Sequence, residues 1–313
     1  DCLLSRGLGD VYKRQVLKIP VYLLIFREER AHLMFSILKR IMLTTVIAIG
    51  FMIGSMTVTA QADMPPTIAE SACMIDIDTG KVLYQVNPTK WVHPASTTKI
   101  VTLITALDQY KDKLDQPLQI SWEAANTEPS SLGIAPGDPI TIREALRGMM
   151  VVSGNDAAVA VAQTLGGSVE GYAEKMNAEA VKMGAAHTNF VNPNGLTAAH
   201  HYTTALDMAK MAAYGMKNFP EFRYIVGLKS YDVHYLDNRA PKHVTTTNHF
   251  LTSGYEGANG IKTGFTNAAG DCLVASATRN GHTLVLVLYN DDNRWTDAPA
   301  ILDYGFRRLQ TGN

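Results

Sequence analysis

Pro94-Ala95-Ser96-Thr97-Thr98-Lys99-Ile100-Val101-Thr102-Leu103-Ile104-Thr105-Ala106-Leu107 is the stretch on which the reading of this chain turns. Ile100, Leu103, Ile104 and Leu107 recur at i, i+3, i+4 and i+7, which predicts an amphipathic helix starting at or near Ser96. Residues three apart share a helix face. Lys99 therefore comes within reach of the Ser96 hydroxyl, at the helix end whose dipole favours a developing anion. A serine hydroxyl is a poor nucleophile until a base takes its proton. Lysine can be that base only when burial and a neighbouring positive charge lower its pKa.

By itself the S-x-x-K spacing carries little. About one copy is expected in roughly 300 residues, and Ser36 to Lys39 is a second one. Ser96 read alone is a helix N-cap. Two further peptides follow in order. Ser153-Gly154-Asn155 stands between an apolar helical pattern (Ile142, Ala145, Leu146, Met149, Met150) and a helix opening near Asp156, and read alone it is a capped turn. Lys262-Thr263-Gly264 read alone is the edge of a strand, although a K-T-G is expected only about 0.1 times in a chain of this size. Taken together, the three supply a nucleophile, a base, a proton shuttle and a cationic anchor for a carboxylate.

With this set the chain resembles the serine D-alanyl-D-alanine carboxypeptidases, the low-molecular-mass penicillin-binding proteins, whose motifs are S-x-x-K, S-x-N and K-T-G. The likeness runs from Ala69 to Leu309 and takes in Met74-Ile75-Asp76-Ile77-Asp78-Thr79-Gly80-Lys81-Val82-Leu83, Asn192-Pro193-Asn194-Gly195-Leu196, Gly260-Ile261-Lys262-Thr263-Gly264-Phe265-Thr266 and Tyr304-Gly305-Phe306. The resemblance implies attack by Ser96 on the carbonyl between two terminal D-alanines of a peptidoglycan stem peptide, with Lys99 taking the proton. It implies an oxyanion hole from the backbone N–H groups of Ser96 and Phe265, a kind of contact worth roughly 3 to 4 kcal/mol per donor. Ser153 passes a proton to the leaving amine, Asn155 binds the peptide carbonyl and orients Lys99, Gly264 and Phe265 belong to the substrate-binding set, and Lys262 and Thr263 take the terminal carboxylate. Arg294, twelve residues before Phe306, is expected to help them. β-Lactam antibiotics are then covalent inhibitors, and no cofactor or metal is implied.

Departures from the family pattern bear on the subfamily. Phe265 stands where some carboxypeptidases have histidine after K-T-G, and Phe265-Thr266-Asn267-Ala268-Ala269-Gly270 is similar to the D,D-endopeptidase branch, which cuts cross-links. The endopeptidase is therefore the alternative to the carboxypeptidase. Many relatives also carry a second β-rich domain and an amphipathic C-terminal helix, whereas the sequence given runs to Asn313. A class A β-lactamase needs a further glutamate for its deacylating water, and no E-x-x-L-N lies between Ser153 and Lys262. A non-catalytic peptidoglycan-binding module has no need of Ser96, Lys99 and Lys262 together.

Composition fits a globular domain able to bury a sizeable core: of 313 residues, 46% are hydrophobic and 18% charged. A net charge of -1 gives no basic footprint for nucleic acid. Lys39 and Arg40, the apolar run Ile41 to Val58 and Ala60-Gln61-Ala62 read as a secretory signal over residues 34–62, which predicts a periplasmic or otherwise extracytoplasmic catalytic domain over 63–313. Retention of the apolar run as a membrane anchor is the alternative. Residues 1–33 do not fit in front of a signal peptide and read as a non-native leader of translated adaptor, with natural translation starting at Met34.

The remaining pattern is an α/β one. Strands are expected over 71–77 and 81–86 around Asp78-Thr79-Gly80, and over 271–278 and 283–289 around the hairpin signal Asn280-Gly281. Thr141-Ile142-Arg143-Glu144 is a capping box, Gly166-Gly167 and Gly184 close helices, and a last helix covers Asp297 to Leu309. Strands at both ends with helices between imply an antiparallel sheet flanked by helices with an inserted helical subdomain, the architecture of serine β-lactamases and penicillin-binding proteins. In that sheet Cys73 and Cys272 fall on strands that are not neighbours, so both are expected as free buried thiols, and Cys2 belongs to the leader. The nine histidines show no H-E-x-x-H or comparable spacing, which argues against a zinc peptidase.

Overall fold

Period-two alternation of side chains between two cores organises the sheet. In the computed structural model Ser71–Asp76 (β1) and Val82–Val86 (β2) form the first hairpin, and Ala258–Thr266 (β5), Gly270–Arg279 (β6) and His282–Tyr289 (β7) supply the other strands. The order is β2-β1-β7-β6-β5, antiparallel throughout, which leaves β5 at one edge. Along β7, Val285, Val287 and Tyr289 join one core cluster while Leu284, Leu286 and Leu288 join another. Both faces are covered, so β7 reads as an almost continuous apolar run rather than an alternating one. The chain divides into two units, Asp1–Gln61 and Ala62–Asn313. The structure describes residues 64–311 and, before them, Met34, Leu38, Lys39 and Met42. The expected leader, the cleavage site and nearly all of the signal segment lie outside the described residues.

Helices cover one face in depth and the other with a single layer. Between β2 and β5 run Lys99–Gln109 (α1), Ile142–Val152 (α2), Asn155–Gly166 (α3), Val169–Lys182 (α4), Ala205–Asn218 (α5) and Pro220–Val226 (α6). A small hairpin of Ser230–Val233 (β3) and Lys242–Thr245 (β4) follows, which the sequence did not announce. Arg294–Thr311 (α7) packs Ala298, Ile301 and Leu302 against the leucine face of β7. Among the described residues no helix is long and apolar enough to cross a membrane.

Several expectations change in detail. The first turn at Ser96 is not α-helical: Ala95–Thr98 is a 3-10 turn and the α-helix begins at Lys99. Nor is α1 amphipathic, because Lys99 through Leu107 are all buried. Thr102 is satisfied inside the core, where its hydroxyl donates to the Pro193 carbonyl at 2.6 Å and its carbonyl accepts from the Tyr172 hydroxyl at 2.8 Å, whereas the buried Thr105 hydroxyl has no partner among the described residues. The capping box is half made. Thr141 accepts the Glu144 N–H, but the Glu144 carboxylate turns to the Tyr231 hydroxyl, the His234 N–H and Arg147. The last helix opens three residues early, at Arg294. Asn280 and Gly281 both take positive φ, as a two-residue hairpin requires. Cys73 on β1 and Cys272 on β6 are free and buried, with β7 between them.

Candidate active site

The three motifs meet where α1, the α2–α3 junction and the β5 edge converge. Lys99 is wholly buried, and its Nζ donates to Ser96 Oγ at 2.9 Å, Asn155 Oδ1 at 2.6 Å and the Asn194 carbonyl at 2.7 Å. Burial lowers its pKa well below the ordinary lysine value, the charge of Lys262 lowers it further, and Asp156 opposes the shift. A neutral lysine amine has a lone pair to offer the serine proton. The Asn194 carbonyl and Asn155 Oδ1 aim that amine at the hydroxyl.

The nucleophile's turn is clamped from two sides. Gly195 takes φ +91°, and a Cβ there would stand 1.8 Å from the Ala95 carbonyl oxygen. Gly264 on β5 comes so close that a Cβ would lie 3.0 Å from both the Ala95 Cβ and the Ser96 nitrogen. Glycine is needed at both positions for close approach. Behind the turn, the Thr97 hydroxyl donates to the Pro94 carbonyl at 2.6 Å and contacts the Tyr289 hydroxyl at 3.0 Å. Thr98 meets His201 Nε2 at 3.0 Å. The Val191 N–H donates to His201 Nδ1, so Nε2 carries the proton and donates to Thr98. Burial, with a lesser push from His93, holds the His201 pKa down near about 4, so this ring braces the turn as a neutral group.

Ser153 is the left-handed residue that ends α2, with φ 62° and ψ 32°, and Asn155 opens α3. The Asn155 backbone N–H donates to the Ser130 carbonyl at 2.7 Å and its Nδ2 to the Glu128 carbonyl at 2.8 Å. Lys262 is 1% exposed, and its Nζ donates to the Thr263 carbonyl at 2.9 Å. Burial brings its pKa down to about 7. The cleft itself, about 480 Å³, is lined by Ser96, Ser130, Ser153, Asn155, Thr247, Thr263, Gly264, Phe265 and Arg294, among others. Lys262 lies beneath this lining, with Thr263 at the surface. Arg294 is in the wall, 2.6 Å from an Asp271 carboxylate oxygen and over the Trp295 ring. Among the described residues no carboxylate lines the cavity around Ser96.

Some of the site was not foreseen. Asp156 is fully buried and accepts from the backbone N–H groups of Leu132 (2.7 Å), Gly133 (2.7 Å) and Ile134 (3.2 Å) and from the Ser131 hydroxyl (2.7 Å). It fixes the loop beside the cleft. An acidic residue in the first turn of a predicted helix suggests only a dipole contact, so its role as a loop anchor had no sequence signal. Thr247, His249 and Trp295 reach the cleft from segments with no motif.

A buried lysine whose pKa is driven down, bonded to a serine hydroxyl at the mouth of a polar cleft, is the arrangement of a serine acyl-transfer enzyme. The serine-peptidase family described as D-alanyl-D-alanine carboxypeptidase matches residues 57–293. The chain is 34% identical to D-alanyl-D-alanine carboxypeptidase DacF of Bacillus subtilis, over 88% of this chain and 72% of that one. It is 32% identical to D-alanyl-D-alanine carboxypeptidase DacC of Escherichia coli, over 80% of this chain and 64% of that one. The crystal structure of the Streptomyces K15 DD-transpeptidase superposes with a TM-score of 0.72 at 32% identity, covering 78% of this chain and 98% of the other. The chain belongs to the D-alanyl-D-alanine carboxypeptidase family, with its helix-flanked antiparallel fold.

Proposed function

We propose that the protein is an exported serine D-alanyl-D-alanine carboxypeptidase that removes the terminal D-alanine from peptidoglycan stem peptides through an acyl-enzyme on Ser96. The observation that carries this is the wholly buried Lys99 amine, 2.9 Å from the Ser96 hydroxyl, with its pKa driven down. Lys99 takes the hydroxyl proton as Oγ bonds to the carbonyl carbon. The backbone N–H groups of Ser96 and Phe265 hold the oxyanion. As the C–N bond breaks, Ser153 delivers a proton to the departing D-alanine amine. Its hydroxyl makes no hydrogen bond among the described residues and is available for this. Water then adds to the acyl carbon, with the proton returned along the same groups.

The leaving group's carboxylate sits against Thr263 and Arg294, over the buried charge of Lys262. Asn155, held by its own backbone and side-chain bonds, orients Lys99 and receives the substrate's peptide. β-Lactams acylate the same serine. Export rests on the signal-like segment 34–62, which would place the enzyme outside the cytoplasm. Endopeptidase activity is the second reading, favoured by the exposed Phe265 at the cleft mouth. Incubation of the purified protein with an acyl-D-Ala-D-Ala peptide should release D-alanine, and Ser96→Ala should release none. Digestion of sacculi should yield free D-alanine with cross-links intact; conversion of dimeric to monomeric muropeptides instead would establish the endopeptidase.

A further inference from the structure

The cleft does not end at Ser96. Beyond Phe265 it continues into a second hollow of about 630 Å³, whose walls include Glu128, Leu196, Thr197, Phe265 and Asn267. Leu196, Phe265 and Thr266 belong to both hollows, so the two form one groove. Its ends differ in charge. Arg294 is the arginine in the wall of the hollow around Ser96, and Glu128 is the carboxylate of the second.

Glu128 is built into the site by its main chain, whose carbonyl accepts the Asn155 Nδ2–H at 2.8 Å. Its carboxylate makes no ion pair or hydrogen bond among the described residues, and the side chain is exposed. Nearby, the Thr197 hydroxyl donates to the Thr266 hydroxyl at 3.0 Å and ties the two walls together. Leu196 and the 61%-exposed Phe265 ring add apolar surface.

We infer that the second hollow binds a cationic side chain on the acyl side of the scissile bond, with Glu128 as its partner. This rests on the carboxypeptidase reading, which puts the substrate's carboxylate at the Arg294 end and so sends the stem peptide past Ser96 toward Glu128. A diamino acid preceding the D-alanine pair has the required form: an aliphatic stem to lie along Leu196 and Phe265, and a terminal amine for the carboxylate. Because Glu128 is exposed, its contribution is moderate and screened by salt. It sets preference among substrates; it does not supply the chemistry.

The test compares two peptides, Nα-acetyl-L-lysyl-D-alanyl-D-alanine with a free side-chain amine and its Nε-acetylated twin. The wild-type protein should cleave the free amine with a kcat/KM roughly fivefold higher at low salt. Glu128→Gln should bring that ratio to about one, and Glu128→Lys should invert it. A ratio taken within one preparation does not depend on the active fraction, so partial misfolding of a variant cannot mimic the result. A wild-type ratio of one, or a ratio unchanged in Glu128→Gln, overturns the inference and leaves the carboxypeptidase reading standing. Cleavage of neither peptide by protein that still labels with penicillin overturns that reading and the inference with it.

Discussion

Lys99 and Lys262 are both buried, and burial lowers the pKa of each, which suits the proposed base and works against the proposed carboxylate anchor. Lys99 must be neutral to accept a proton, and burial beside a second positive charge lowers its pKa toward that state. Lys262 must be charged to favour a carboxylate, yet burial alone brings its pKa to about 7. The expected profile of kcat/KM is a bell for the free enzyme: an acid limb as Lys99 gains its proton, and an alkaline limb near pH 7 as Lys262 loses its own. A neutral ester of the same shape should lack the alkaline limb. Equal alkaline loss on both substrates would remove Lys262 from carboxylate recognition. The same shift has a consequence for stability. The folded pKa of Lys262 lies below the unfolded value, so the unfolded chain binds more protons between about 7 and 10.5 and stability rises with pH across that window. Lys262→Met should reduce this rise, leaving the part that Lys99 contributes through its own lowered pKa, in urea melts at two pH values inside the window; an unchanged slope would show that Lys262 does not titrate there.

At the scale of elements, the site depends on a loop and a strand edge held against the turn of Ser96. Asp156, at the start of α3, gathers three backbone N–H groups and the Ser131 hydroxyl of the adjoining loop. Asp156→Ala leaves those donors unpaired and should cost about 3 to 5 kcal/mol in urea unfolding; a loss below about 1 kcal/mol would mean that water or backbone replaces it. Gly264 on β5 admits no side chain, since a Cβ would press on Ala95 and the Ser96 nitrogen. Gly264→Ala should retain the fold and slow acylation by about a hundredfold, the scale of a small misplacement of the nucleophile. Acylation at the wild-type rate would separate the β5 edge from catalysis. How far such elements could be read in advance follows their physics. The Asn280-Gly281 hairpin was legible because its conformation depends on two residues. The 3-10 turn at Ala95–Thr98 was not, because Gly195 and Gly264, distant in sequence, impose it. Apolar spacing placed α1 but concealed that its threonines are buried, since a hydroxyl bonded inside a core looks like one on a surface.

Across the whole molecule, the legible part was what local pattern and motif order fix: strands at the two ends of the domain, helices between them, and the meeting of Ser96, Lys99, Ser153 and Asn155. Thr247, His249 and Trp295 join the cleft only because the sheet order brings β5 and α7 to the same mouth, and no spacing in the sequence encodes that juxtaposition. The assembled cleft has a further property that follows from its lining. Among the described residues no carboxylate lines the cavity around Ser96 to activate a deacylating water, so a penicilloyl adduct should persist for minutes or longer while D-alanine release turns over. The central claim is that Ser96 is the acylated residue. Its most direct test is incubation with penicillin followed by intact mass and peptide mapping of the adduct: the account predicts one penicilloyl group per chain, on the peptide containing Ser96, and none in Ser96→Ala. An adduct on another residue, or labelling that survives in Ser96→Ala, would contradict it.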